Sequence, residues 1–303
     1  MHCTGIFEVL DNAPKLNILV LGASGMLGSA LFHQLTKVSP NYKVWGTSRG
    51  HSVVPQESDR AKLIELDNVF DKEKLSKLLQ QYEIDVVINA IGLIKQISGQ
   101  LTKTDFVKIN AWLPHYLLDL CEDVGARFIE ISTDCVFAGD KGNYSEEDTP
   151  DAVDIYGVTK LLGEITESEN AVTVRTSIIG HESGRAASLI DWFLSTSGSV
   201  EGYTKAIFSG FPTVYLSHII GYYILPNNSL KGLYHVSAHP IDKFTLLSLV
   251  AKTYGHDVSI IPNTSVSIDR SLNSNKFKRE TGFIPPSWST LVSSMKLNRP
   301  IWK

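Results

Sequence analysis

Short, continuously apolar runs alternate with longer amphipathic stretches from Asn17 to Arg175, and that alternation leaves few folds open. Ile18–Leu21, Lys43–Gly46, Lys62–Leu66, Asp85–Asn89, Arg127–Ile131 and Val172–Val174 read as strands. Met26–Lys37, Asp71–Tyr82, Thr104–Asp123 and Ile155–Glu167 read as the helices between them. Strands that lack polar alternation are buried on both faces, so the pattern predicts an α/β fold with a doubly wound parallel sheet. Asp85-Val-Val-Ile-Asn89 and Phe128-Ile-Glu-Ile131 have the character of central strands.

After Arg175 the regularity weakens and Gly, Ser and Pro become frequent. Helices are expected near Ala187–Ser195, Leu216–Leu225 and Asp242–Tyr254, a strand at Gly232–Val236, and a polar, basic stretch at Ile268–Phe283. The expected division is a loose leader over residues 1–14, a nucleotide-binding domain over 15–175, and a mainly substrate-binding α/β cap over 176–303. Some segments of that last part are allowed to return to the sheet. A net charge of −4 over 303 residues argues against binding nucleic acid or a membrane surface by electrostatics. The apolar runs fall far short of the ~20 residues of a spanning helix. The N-terminus has no basic region followed by an apolar one, as a signal peptide would. Three scattered cysteines (Cys3, Cys121, Cys135) suit neither a disulfide framework nor a zinc cluster, and a reducing, cytoplasmic setting is expected.

The first strand ends in Gly22-Ala-Ser24-Gly25-Met26-Leu27-Gly28 and runs straight into a helical pattern. Glycines at such a turn permit a tight bend, close approach of backbone to a pyrophosphate and close helix–strand packing. Free N–H groups and the positive helix end then hold the phosphates. The spacing is Gly-x-x-Gly-x-x-Gly, and its place after the first strand of a βαβ unit is what a dinucleotide site requires. The second strand ends in Thr47-Ser48-Arg49 without the acid that usually bonds the ribose of NAD. A hydroxyl and a guanidinium suit a 2′-phosphate, so NADP is the expected cofactor and NAD the alternative. Asp67, after the third strand, is a candidate acceptor for the adenine amino group.

Tyr156 and Lys160 lie four residues apart on a helical pattern and so share a face. A phenol titrates near ~10, and a nearby ammonium makes proton exchange easier. Thr133, at the end of the preceding strand in Ser132-Thr133-Asp134, offers a hydroxyl that polarises a carbonyl. Thr133, Tyr156 and Lys160 are therefore the candidate catalytic residues.

Gly22–Gly28, Asn89-Ala-Ile-Gly92, Asn110, Ser132-Thr-Asp134 and Tyr156 with Lys160 resemble the extended short-chain dehydrogenase/reductase superfamily, whose fold is of Rossmann type. Ser132–Gly139, Tyr144–Asp148, Tyr156–Glu164, Val174–Ser177, Arg270–Ser274 and Thr281–Phe283 with Trp288 are similar to its dTDP-4-dehydrorhamnose reductase branch. The resemblance implies NADPH-dependent reduction of a nucleotide-linked 4-keto-6-deoxy sugar in cell-surface polysaccharide synthesis. Tyr156 would donate the proton, Thr133 would polarise the carbonyl, and Lys160 would bind the nicotinamide ribose and lower the Tyr156 pKa. Asn89, Ala90, Gly92 and Asn110 would line the cofactor. Lys95, Gln96 and Arg270 are candidate substrate contacts, and a homodimer is an open option.

The chain departs from that branch two residues after Thr133, where a Tyr is usual and Cys135 stands instead. Related dehydratases carry Glu there, and its loss counts against dehydration. In relatives that epimerise a keto sugar, a cysteine at this position exchanges the proton beside the carbonyl, which keeps an epimerase or epimerase/reductase as an alternative. Such a cysteine needs thiolate character and an acid partner, for which His181 is a candidate. A third alternative is a non-catalytic dinucleotide-binding regulatory subunit resembling the β-subunit of methionine adenosyltransferase.

Overall fold

The computed structural model describes residues 8–50, 54–94, 101–182 and 188–302. The first part of the chain runs β1 (Leu16–Leu21), α1 (Met26–Val38), β2 (Tyr42–Ser48), β3 (Ala61–Glu65), α2 (Lys72–Gln81) and β4 (Val86–Asn89). It continues through α3 (Lys103–Phe106), α4 (Leu113–Val124), β5 (Arg127–Thr133), α5 (Ile155–Leu162) and β6 (Ala171–Thr176). These strands pair in parallel, and the direction of winding reverses between β1 and β4. In such sheets ligands collect in the crevice at the carboxyl ends of the strands beside that reversal.

Alternate residues of β1 explain why neither face carries polar side chains. Ile18 and Val20 pack with Leu31, Phe32 and Leu35 of α1, whereas Leu19 and Leu21 pack with Leu75 and Leu79 of α2 and Leu117 of α4. Both sets are fully buried, and each large apolar side chain so placed contributes ~1.5–3 kcal/mol.

The remainder comprises β7 (Ile178–Ile179), α6 (Leu189–Ser195), β8 (Ser199–Phe208), β9 (Phe211–Pro212), α7 (Thr213–Ile219) and β10 (Gly232–His235). Then follow β11 (Ile241–Asp242), α8 (Lys243–Tyr254), β12 (Ser259–Asp269), α9 (Asn275–Thr281) and α10 (Trp288–Leu297). β10 joins the main sheet as a seventh parallel strand, giving the order β10-β6-β5-β4-β1-β2-β3. Leu216 and Ile219 of α7 share the α1 side of its core, so part of this half completes the layer that covers the sheet. β8 and β12 pair in parallel, with β11 antiparallel on the other edge of β8. α6, α8 and α10 share a separate core with this small sheet.

Three local differences from the sequence reading have clear causes. The helix expected over Thr104–Asp123 contains a π-helical stretch at Val107–Trp112, directly before Pro114 in the first turn of α4. The helix expected to reach Glu167 stops at Leu162. Gly163 is its cap, and a Cβ there would lie 2.0 Å from the Asn110 carbonyl oxygen. Residues 8–14, read as loose, are pinned: Leu10 donates to the Val38 carbonyl, Asn41 donates to the Asp11 and Ala13 carbonyls, and Ala13 is buried. Among the described residues no helix is long and apolar enough to cross a membrane.

Candidate active site

The turn after β1 is shaped by the absence of side chains. Gly22 has φ +81°, and its N–H donates to the Thr47 hydroxyl at 3.2 Å. Ala23 N–H donates to the Thr47 carbonyl, and Gly25 N–H to the Gly22 carbonyl. A Cβ on Gly28 would lie 2.1 Å from the Gly22 oxygen, so only glycine lets α1 begin this close to β1. Gly25 caps α1 without a side chain, and no acid stands in the first turn. The positive helix end is thus left for an anion, as a diphosphate requires. Ser24 and Met26 are half-buried beside it, and Leu27 points into the core, leaving its backbone as its contribution.

Ser48 is half-buried and Arg49 exposed at the end of β2. Glu65, paired with Ser48 in register, brings a carboxylate to within 3.0 Å of where a Cβ of Gly50 would lie, an acid the sequence reading had not weighed. Asp67 is exposed, 4.0 Å from Lys74 Nζ. After β4, Asn89 is buried; its Oδ1 accepts from Ile91 N–H at 3.1 Å. Asn110 clamps the same loop, accepting from Leu93 N–H at 2.8 Å and donating to the Leu93 carbonyl at 3.0 Å. Both amides therefore shape the Ala90–Leu93 backbone, with Gly92 lying against Asn110. Lys95 and Gln96 lie outside the described residues.

Tyr156 is brought to Thr133 by a backbone fit. Asp154 caps α5 by accepting from Gly157 N–H at 3.0 Å, and a Cβ on Gly157 would lie 2.3 Å from the Cys135 carbonyl oxygen. α5 therefore starts pressed against the turn that follows β5. Burial pushes the Tyr156 phenol up, Cys135 and the acids Asp134 and Asp154 add to this, and a hydrogen bond with Thr133 opposes it. Thr133 Oγ1 also accepts from Cys135 N–H at 3.1 Å.

Lys160 is engaged by β5. Its ammonium is buried and donates to Glu130 Oε1 and to the Ile131 carbonyl, each at 2.7 Å. The charge is compensated by Glu130, and what acts on the Tyr156 phenol in this arrangement is burial, which raises its pKa. Glu130 Oε2 accepts from Asn89 Nδ2 at 2.7 Å, which joins the ion pair to the loop after β4.

Cys135 lies in the site, but its surroundings oppose a thiolate. Burial and then the Asp134 charge push its thiol up to about 12, against the pull of Arg270, whose Nη1 is 3.8 Å from Sγ. Arg270 Nε donates to the Phe137 carbonyl at 2.7 Å, which fixes this residue of the C-terminal half at the edge of the site. His181 is committed elsewhere: Nδ1 meets Asp191 at 2.6 Å and Nε2 meets the Tyr254 hydroxyl at 2.9 Å. It forms a buried clasp between α6 and α8 and is not the acid partner expected for Cys135.

A second buried ion pair backs the site. Glu164 accepts from Ser132 Oγ at 2.5 Å and from Arg175 Nε and Nη2 at 2.7 and 2.6 Å. Arg175 Nη1 is 3.2 Å from His235 Nε2, and burial with the Arg175 charge brings His235 down to about 3. Sequence reasoning missed Glu130, Glu164 and His235. The available signal was a carboxylate at Glu130 flanked by Phe128, Ile129 and Ile131 in a central strand.

A seven-stranded parallel sheet wound in this order, with a glycine turn at the reversal and Thr133 and Tyr156 at the carboxyl edge, defines a protein of the extended short-chain dehydrogenase/reductase class. Residues 16–297 match the model of the RmlD substrate binding domain family, and the chain belongs to that family. It is 28% identical over 188 residues to a Haloferax volcanii protein named "probable low-salt glycan biosynthesis reductase Agl14", covering 58% of this chain and 59% of that one. It is also 28% identical over 168 residues to the methionine adenosyltransferase 2 subunit beta of Rattus norvegicus, covering 55% of this chain and 47% of that one. These alignments span about half to three-fifths of those relatives. The crystal structure of dTDP-4-dehydrorhamnose reductase from Bacillus anthracis in complex with NADP has a TM-score of 0.74 at 21% identity, covering 93% of this chain and 99% of that one, and shares the fold.

Proposed function

We propose that this protein is an NADPH-dependent reductase of a nucleotide-linked 4-keto-6-deoxy sugar, acting in cell-surface polysaccharide synthesis. The observation that carries this reading is the convergence of Thr133 and Tyr156 at the sheet edge that also holds the glycine turn. A cradle that admits no Cβ at Gly28 and no capping side chain at Gly25 fits a dinucleotide diphosphate. Arg49 and Ser48 would take a 2′-phosphate, and family membership together with the likeness to Agl14 supports a reductase.

When bound, the nicotinamide supplies the hydride that reduces the keto carbon. Thr133 Oγ1 hydrogen-bonds the keto oxygen and stabilises the charge that grows there. Tyr156 gives that oxygen its phenolic proton as the O–H bond breaks. A phenol held above its ordinary range by burial stays protonated at neutral pH, as a donor must. Lys160 holds the ribose side of the cofactor, and Arg270 meets the substrate from the C-terminal half. Cys135 acts as a thiol in the wall of the site, so reduction is favoured over proton exchange beside the carbonyl.

A second reading, a regulatory subunit that binds a dinucleotide without turnover, is favoured by the likeness to the rat β-subunit. Purified protein mixed with NADPH and dTDP- or UDP-linked 4-keto-6-deoxyhexoses separates the two. Stoichiometric NADPH oxidation is expected, lowered about 10²–10⁴-fold in Tyr156→Phe with NADPH affinity retained. NADPH binding without oxidation across such substrates refutes the reductase in favour of the regulatory subunit.

A further inference from the structure

Resting on the reading of Lys160 as the ribose-side ligand, we propose that Glu130 is a positioning residue, whose one carboxylate ties the Lys160 ammonium to the Asn89 side chain and so sets where that lysine meets the dinucleotide. Glu130 stands mid-strand in β5 and is buried, as is Lys160, with 1% and 5% of their side chains exposed. Its two oxygens have different tasks: Oε1 holds Lys160 and Oε2 holds Asn89, both at 2.7 Å. Asn89 in turn accepts from Ile91 N–H, and Ile91 packs where a Cβ of Gly22 would lie. One carboxylate thus connects α5, the loop after β4 and the glycine turn, all of which border the cofactor crevice.

The charges around this group bear on what its removal does. Burial pushes the Glu130 carboxyl up, Lys160 and Asn89 oppose this, and Glu164, itself held by Arg175, adds to the rise. Around Tyr156 stand Thr133, Asp134, Cys135 and Asp154, with Arg270 against Cys135 and Asp134. Glu130 is the carboxylate in ion-pair contact with Lys160 among the described residues. Removing one partner of a buried ion pair is costly, because the other charge is left buried and uncompensated. Glu130→Gln also sets an amide N–H against either Lys160 or Asn89, each of which is a donor.

Two measurements test the assignment. The first is NADPH affinity at pH 7 in the wild type, Glu130→Gln and Glu130→Asp. It is expected about 10-fold weaker in Glu130→Gln and partly restored in Glu130→Asp, which keeps a carboxylate for Lys160 and Asn89. The second is a melting-temperature cycle of Glu130→Gln, Lys160→Met and the double variant. The loss in Glu130→Gln is expected to shrink by at least half in the Lys160→Met background, where no buried ammonium remains. Failure of the single variant to fold, with recovery in the double variant, supports the coupling as well. Additive losses overturn the proposal, and so does an NADPH affinity unchanged in Glu130→Gln, which leaves the pair as mere packing. A wild type that binds neither NADPH nor NADH refutes the proposed function instead, and the melting cycle alone then judges the coupling.

Discussion

Gly28→Ala probes the joint between β1 and α1. The added methyl would lie 2.1 Å from the Gly22 carbonyl oxygen and 2.7 Å from its carbon, where contacts under 3.0 Å do not occur. The helix and the turn must therefore separate by about 1 Å, and α1 has little freedom to comply. Ten of its thirteen residues are buried, with Leu31 and Leu35 locked between the sheet and α7. Overpacking of this kind costs ~1–3 kcal/mol. At about 2–4 °C per kcal/mol for a large domain, melting falls by roughly 2–12 °C. The opened turn carries the proposed diphosphate donors away by the same distance, and loss of one hydrogen bond to a charged group weakens NADPH by on the order of 10-fold or more. Tryptophan quenching by NADPH and a melting curve without cofactor measure both effects. Gly125→Ala is the control: its φ is +74°, no atom lies within 4 Å of the new methyl, and the site is remote from the turn. It costs ~1–2 kcal/mol of backbone strain and leaves NADPH affinity unchanged. A Gly28→Ala protein that binds NADPH as tightly as the wild type refutes the reasoning.

Arg49→Ala is expected to weaken NADPH roughly 10-fold or more, through loss of charge-assisted bonds, and NADH little; equal weakening in a paired titration refutes the 2′-phosphate assignment. Acid stability should track His235, whose pKa is about 3 when folded against ~6.5 unfolded. The unfolded chain then binds the extra proton, so stability is full above pH ~6.5 and drains as pH falls toward 3. The loss between pH 7 and 5 is about 2 kcal/mol from this group, and His218, brought down to about 4, steepens the same slope. Urea midpoints at the two pH values check this, with a smaller difference expected in His235→Asn.

The parallel sheet was legible because β1, β4, β5 and β6 are buried nearly throughout and each holds a short set of large apolar residues without regular polar alternation. The glycine turn was legible for a related reason, since steric demand leaves glycine as its mark. β8 and β12 were not, because β8 buries only Gly202 and Ala206 and β12 buries no residue fully. β12 also carries Pro262 and a register shift between Asn263 and Ser267, which erase any period. Within the site, spacing placed Tyr156 and Lys160 on one helix face but said nothing of the third party. Glu130 captures Lys160 from a strand thirty residues earlier, and no periodicity along the chain reports such a pairing. Asp191 and Tyr254 likewise capture His181 from two separate helices.

The approach of Gly157 to Cys135 is made with the carbonyl of position 135 and not with its side chain. The helix that carries Tyr156 is thus registered against main chain, which mutation at that position leaves in place. A chain built this way is free to exchange the side chain at position 135, altering what the wall of the crevice rejects or accepts, while the phenol proposed as proton donor stays where it is. Chemistry and selectivity at this edge are in that sense separable inheritances.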